Sequence, residues 1–245
     1  PFKRKEAMGK QRWYEKISLS YSGQFNNSIS TKEYLILKSN ILTDWSNGVK
    51  HSIPISATFQ LFDNINITPS FNYTERWYFK KVERQWNPET NKVDVLDPEY
   101  GFYRLYNYNA GIALSTILYG QWQVREKYKD FKLQALRHTI TPSLSMSYAP
   151  DFSNQKYGYH KTVQSDSTGR TTIYSPFTDN AYGVPGSGQQ FSLTFGLSQS
   201  LEAKVRTRDT VKKIKLIDQI SINGSYNFLS DSMRLSTLPI QLRTT

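Results

Sequence analysis

A chain of 245 residues without one cysteine holds neither a disulfide nor a thiolate metal centre, and is long enough for one large β domain or two small ones. Hydrophobic residues make up 38%, low for a packed globular core, while aromatics reach 14% with 17 Tyr and 5 Trp, residues that favour membrane interfaces. A net charge of +11 attracts polyanions such as nucleic acid or anionic lipid, but the excess gathers between patterned stretches, at 3–16, 125–137 and 202–215.

The chain opens Pro1-Phe2-Lys3-Arg4 with neither Met nor a signal peptide, which reads as an internal piece or a processed product. From Ile17 a strict alternation sets in: Ile17, Leu19, Tyr21 and Phe25 with Ser18, Ser20, Ser22 and Gln24 between them. A strand shows successive residues to opposite faces, so this stretch has one apolar and one polar face. The pattern returns as Ile53-Ile55-Ala57-Phe59-Leu61 over Ser52, Ser56, Thr58 and Gln60, and as Ile65-Ile67-Pro69-Phe71-Tyr73 over Asn66, Thr68, Ser70, Asn72 and Thr74. Next comes the uncharged window Leu105 to Val124, long enough for a transmembrane helix. Asn107, Asn109, Gln121 and Gln123 would scatter around every helical face, so it reads as a strand.

Later repeats are Ile140-Pro142-Leu144-Met146-Tyr148 over Thr and Ser, Phe191-Leu193-Phe195-Leu197 over Ser, Thr and Gly, and Ile220-Ile222-Tyr226-Phe228 over Ser and Asn. Eight strands are expected, near 16–25, 50–61, 65–80, 104–120, 136–149, 189–202, 217–229 and 234–244, the last the least regular. Each apolar alternation runs about 9–11 residues, the length a tilted strand needs to cross a bilayer. The expected fold is therefore all-β, an antiparallel transmembrane β-barrel wall forming a single domain over 1–245. An eight-stranded barrel is filled by its own side chains, and Ser, Thr, Asn, Gly and Ala are too small for that. The eight strands thus read as a segment of a larger barrel, with partner strands at both edges.

Barrels of this kind have short periplasmic turns and long outer loops. On that rule the links 26–49, 81–103 and 150–188 face outside, and 62–64, 121–135 and 203–216 face the periplasm. A short link near 230–233 does not fit the scheme. Pro54, Pro69, Pro142 and Pro239 fall inside expected strands and read as strand-end prolines where the ladder is already frayed, in preference to weakened pairing in a wall built to open.

No catalytic constellation emerges, so an enzyme is not expected. His51, His138 and His160 have no partner at metal-ligand spacing, no glycine-rich loop precedes a helix, and no G-x-S-x-G elbow occurs. Asp94, Asp97 and Glu99 read as solvated loop carboxylates rather than a Ca²⁺ site, and no cofactor is expected. The run Arg76-Trp77-Tyr78-Phe79-Lys80-Lys81 could stack bases, but it reads better as an interfacial aromatic belt with snorkelling lysines, so no nucleic-acid partner is expected. The candidate binding feature is a basic rim: Arg125, Lys127, Lys129, Lys132, Arg137, Lys204, Arg206, Arg208, Lys212 and Lys213. Solvated periplasmic charge is its competing reading.

Three segments carry a resemblance. They are Arg137-His138-Thr139-Ile140-Thr141-Pro142-Ser143 running on to Tyr148-Ala149-Pro150-Asp151-Phe152, the stretch Phe191 to Arg206 ending Leu201-Glu202-Ala203-Lys204-Val205-Arg206, and Gly224 to Ser232. In this order they resemble the barrel of the LptD family of lipopolysaccharide-assembly outer-membrane proteins, in its Bacteroidetes-type form, over roughly 50–245. The resemblance implies a very large barrel, a plug lipoprotein (LptE) in its lumen, a periplasmic jelly-roll domain, and delivery of lipopolysaccharide to the outer leaflet through a gate between first and last strands. No jelly-roll and no cysteines stand in this sequence, and no site residue is carried over. Two other classes also fit the alternation: another outer-membrane transporter, such as a porin or a TonB-dependent receptor, and a secreted β-sandwich binding glycans through Trp86, Tyr100, Phe102 and Tyr157.

Overall fold

The computed structural model describes residues 12–40, 43–62, 64–124, 132–207 and 210–244. Period-two patterning produces strands almost throughout. In chain order they are β1 (Ile17–Leu19), β2 (Ser22–Ser28), β3 (Ser46–Ala57), β4 (Phe59–Leu61), β5 (Ile65–Lys81), the hairpin β6 (Arg84–Asn87) and β7 (Lys92–Val95), β8 (Glu99–Thr116), β9 (Leu118–Gln123) and β10 (Leu133–Ala149). A second hairpin, β11 (Lys161–Gln164) and β12 (Thr171–Tyr174), precedes β13 (Gln190–Thr207), β14 (Thr210–Asn227) and β15 (Ile240–Arg243). Among the described residues helix is confined to single turns at Trp13–Lys16, Glu33–Ile36 and Gln155–Tyr157.

All but the two hairpins join one antiparallel sheet in which neighbours in sequence are neighbours in space. The all-β, antiparallel expectation holds. The sheet is open: β1 and β2 form one edge, β15 the other, and no pairing joins them among the described residues. The backbone ladder outlasts the apolar alternation, since β8 and β9 together run from Glu99 to Gln123. Pairing needs only backbone, so it continues where both faces carry aromatics. The awkward link near 230–233 also changes form. The chain after Asn227 runs back along β14, with Asn227 N donating to Arg234 O (2.7 Å) and Ser236 N to Ser225 O (2.8 Å), and strand pairing resumes only at Ile240.

Pro239 stands just before β15, as a strand-end proline does, but the other three prolines correct the strand-end reading. Pro54, Pro69 and Pro142 stand within β3, β5 and β10, each facing a break in the neighbouring strand. Pro54 faces the gap between β1 and β2, with Leu19↔Ile55 paired on one side and Ser22↔Ser52 on the other. Pro69 faces the gap between β3 and β4, and Pro142 the gap between β8 and β9. Proline has no N–H to donate, so the ladder lapses locally while the register carries through unchanged.

Opposed residues share a face, so the register sorts side chains. One face carries Ser70, Asn72 and Thr74 of β5 beside Gly111, Asn109 and Asn107 of β8, then Ser143, Ser145 and Ser147 of β10 beside Gly196, Thr194 and Ser192 of β13. The other carries Ile67, Phe71, Ile112, Leu114, Leu144, Met146, Leu193 and Phe195. On that side the Phe195 ring lies over Gly224, where a β-carbon would meet it at 2.6 Å. No second layer covers the apolar face among the described residues: Phe71 is 37%, Ile112 39% and Leu144 38% exposed. A sandwich would bury these side chains against another sheet, and the only other sheets described are the two hairpins.

Candidate functional site

The polar face is a lawn of hydroxyls and amides. The Asn72 Nδ2 donates to Asn109 Oδ1 at 2.8 Å, and the hydroxyls of Ser147 and Ser192 meet at 3.0 Å. Gly196 permits this crowding, because a β-carbon there would lie 2.8 Å from both the Asn223 amide oxygen and the Ser143 hydroxyl. These small groups bond within the sheet and leave its surface low and hydrophilic.

At one end the segment 150–189 arches over this face. Its turn of chain brings Phe152, Tyr159 and Phe177 against Tyr78 of β5 and Leu105 of β8, the principal buried cluster, with Tyr78 0% and Leu105 1% exposed. The Tyr159 hydroxyl accepts from the backbone N–H of Tyr106 at 2.9 Å, satisfying β8 where β10 no longer reaches it. Arg76 donates to Asn107 Oδ1 (2.6 Å) and to the Tyr182 carbonyl (3.3 Å). The Asn180 amide donates to the Lys80 carbonyl at 3.1 Å.

The expected aromatic belt therefore divides between faces. Arg76 and Tyr78 hold the arch on the polar side. Trp77 stays on the apolar side, donating to Glu75 Oε1 at 2.6 Å and packing edge-on against Phe102.

Glu83 ties the two hairpin-bearing loops together. Its carboxylate meets Lys161 Nζ at 2.6 Å and Lys81 Nζ at 3.4 Å, and accepts from the Tyr174 hydroxyl at 2.8 Å. Burial pushes this carboxyl up, but the bonds from Lys161, Tyr174 and Lys81 outweigh it and hold Glu83 below the usual carboxylate range. Asp151 closes the arch at its base. The Ser153 hydroxyl, the Ser153 amide and the Gly188 amide all donate to it and hold its carboxyl low. The segment Ser165 to Arg170 is a tight turn whose Asp166 Oδ1 accepts from the amides of Thr168 (2.9 Å) and Arg170 (3.1 Å).

At the opposite end lie the basic residues. Arg125, Lys127, Lys129 and Arg208 fall outside the described residues. Arg137, Lys204 and Lys213 come together on the polar face around a cavity of about 150 Å³ that Glu202 and Gln121 also line. Lys212 points to the apolar side opposite Val205, while Arg206 pairs across to Val211. Lys132 is exposed, and its carbonyl accepts from Arg206 N at 2.7 Å.

The histidines lie apart. His51 Nδ1 bonds the Tyr21 hydroxyl at 2.8 Å, and His138 Nε2 meets Gln199 Oε1 at 3.1 Å. Asp94 accepts from Asn87 and Glu99 pairs with Lys81. Among the described residues no three His, Asp or Glu gather as a metal site.

A family model described as LptD protein matches residues 1–245. The chain belongs to the LptD family. No curated protein and no solved structure matches it. LptD-family proteins are lipopolysaccharide-transport components and not enzymes. The open antiparallel sheet with one hydrophilic and one bare apolar face is compatible with an LptD-family protein of the outer membrane.

What the sequence reading missed was the anchoring of the arch. Tyr103, Tyr106 and Tyr108 on β8 and Tyr157 and Tyr159 in the loop were the available signal, since aromatics dense on both faces of one stretch need something to cover them.

Proposed function

We propose that this chain is a segment of the wall of an outer-membrane β-barrel in the lipopolysaccharide translocon, which passes lipopolysaccharide to the outer leaflet. The apolar face meets hydrocarbon and the polar face lines a wide aqueous lumen through which the glycan travels. The observation that carries this reading is the register. Side chains sort into a Ser/Thr/Asn/Gly face and an Ile/Leu/Phe/Met face across the long strands, and the apolar face stays bare. A bilayer is the solvent that such a face requires.

In this reading the single domain spans 1–245, and the two open edges pair with the remaining strands of the same barrel, since hydrocarbon tolerates no unpaired backbone. The links 26–49, 81–103 and 150–188 face the cell exterior, with the last folded across the mouth of the lumen. The links 62–64, 121–135 and 203–216 face the periplasm, where the basic residues meet incoming substrate. Its partners are lipopolysaccharide, the plug lipoprotein LptE, a periplasmic jelly-roll domain and outer-membrane lipid.

These 245 residues hold no cysteine, so single cysteines placed among them, with any cysteine elsewhere in the protein replaced, give a direct test. Single cysteines are placed at Leu144 or Ser145, and at Ile112 or Ala113, in the full-length protein in native outer membranes. A water-soluble maleimide should label the cysteines at 145 and 113 and spare those at 144 and 112. A photo-crosslinker at Thr194 should capture lipopolysaccharide, and one at Leu193 should capture phospholipid or bulk lipid instead. Equal labelling of both faces, or no lipopolysaccharide adduct at Thr194, would overturn the reading.

A further inference from the structure

We propose that Arg137, Lys204 and Lys213 form a binding site for phosphate monoester or diphosphate groups, and that its ligand is the phosphorylated head group of the transported glycolipid. The inference rests on the polar face lining the lumen and adds to that reading a specific point of contact.

The strands bring the three cations together from separate ribbons. Arg137 of β10 stands opposite Glu202 of β13, Ala135 stands opposite Lys204, and Lys204 stands opposite Lys213 of β14. Two register shifts, at Gln199/Leu201 and Leu201/Glu202, displace β14 by two residues in all, so its faces are kept and Lys213 comes to stand directly opposite Lys204. Without those shifts Lys204 would stand opposite Lys215 instead, with Lys213 two residues farther along the same face. The small Ala135 leaves room beside Lys204, and the cavity of about 150 Å³ exceeds by far the roughly 10–15 Å³ that one water needs.

The charges in this cavity are unbalanced. Like charges directly opposite destabilise a sheet, yet Lys204 and Lys213 are such a pair. Among the described residues no carboxylate lies within ion-pair distance of Arg137, Lys204 or Lys213. Nearby cations behave otherwise: Lys215 and Arg243 both take Asp218, at 2.7 Å and 2.6 Å. Three cations thus share one carboxylate, Glu202, across the cavity. The Arg137 guanidinium lies 4.7 Å from the centre of the Tyr119 ring, which steadies its plane and leaves its N–H fork available. A planar fork beside two ammonium groups suits the several oxygens of a phosphate, which would also relieve the repulsion between the lysines.

The test uses the full-length protein, purified in detergent. Lys204 and Lys213 amines of the unmodified sequence are acylated with and without inorganic pyrophosphate, phosphorylated lipopolysaccharide, or the same lipopolysaccharide stripped of phosphate. Pyrophosphate and phosphorylated lipopolysaccharide should protect both amines, and the stripped form should not. In parallel, R137Q/K204Q/K213Q should weaken binding of phosphorylated lipopolysaccharide by about tenfold or more, to the level of the stripped form. Lys92→Gln, which removes a single cation from the distant β7, should leave it unaltered. Protection by pyrophosphate alone would assign the site to free phosphate and overturn the glycolipid assignment. Equal binding of phosphorylated and stripped lipopolysaccharide would overturn the site and leave the translocon standing. No binding of either form would strike at the proposed function itself.

Discussion

The Tyr78 hydroxyl donates a 2.6 Å hydrogen bond to the Gly183 carbonyl, linking residues 105 apart in sequence. Tyr78 is wholly buried, and with Leu105 it forms the floor on which the 150–189 arch rests. The arch is therefore packed onto the sheet. Tyr78→Phe removes the donor and should loosen the docked arch by about 1–3 kcal/mol. Leu105→Ala should cost about 2–5 kcal/mol through the cavity it leaves. Both should speed proteolytic cleavage at the Ser165 to Arg170 turn while the sheet's amide protection stays intact. An unchanged cleavage rate in both variants would mean that other contacts hold the arch.

Glu83 is the second clamp, joining the 82–98 loop to the β11–β12 hairpin through Lys161 and Tyr174. Its side chain is about one-fifth exposed, so solvent screens it only in part. Glu83→Gln should release the hairpin by about 1–2 kcal/mol. A double-mutant cycle with Lys161→Met should show positive coupling in hydrogen-exchange protection of β11. Additive effects would deny the link.

The base of the arch should respond to acid. Asp151 is held below the ordinary carboxylate range by Ser153 and Gly188. A folded-state value below the unfolded one stabilises above the unfolded value, near pH 3.9, and that contribution disappears as pH falls through the folded value. Protection of the Gly188 amide, corrected for intrinsic exchange, should be full at neutral pH and drop below about pH 4. Asp151→Asn should remove that pH dependence. A pH-independent Gly188 amide in the unmodified protein would contradict the account.

Pro54 is a device of the ladder. Ser20 N already donates to the Pro54 carbonyl at 3.2 Å, but nothing returns from the proline nitrogen. Pro54→Ala restores an N–H and should merge β1 and β2 into one strand from Ile17 to Ser28. Stability should change by less than about 1 kcal/mol, because the gained hydrogen bond offsets the lost rigidity of proline in the unfolded chain. A strongly protected amide at position 54 is the expected sign, and rapid exchange there would show the break has another cause.

The order of amino acids by itself determined the strand character and the division of faces. Alternation is a local property: residues such as Ile140 and Thr141 point to opposite sides whatever their neighbours do. The small size of Ser143, Ser145 and Ser147 likewise marks a surface meant to stay open. Tertiary structure decided everything that depends on distant pairing. Only register could show that Pro54, Pro69 and Pro142 face breaks, since the break belongs to the adjacent strand. Only packing could show that Tyr78 receives an arch from Gly183, a contact with no local signature. The basic rim shows both limits. Its charges were legible as letters, and alternation alone sends Lys213 to one face and Lys212 to the other, but only the register places Lys213 opposite Lys204. Which residues stand opposite one another is set by pairing between strands, so the gathering of Arg137, Lys204 and Lys213 is a property of the sheet and of no single ribbon within it.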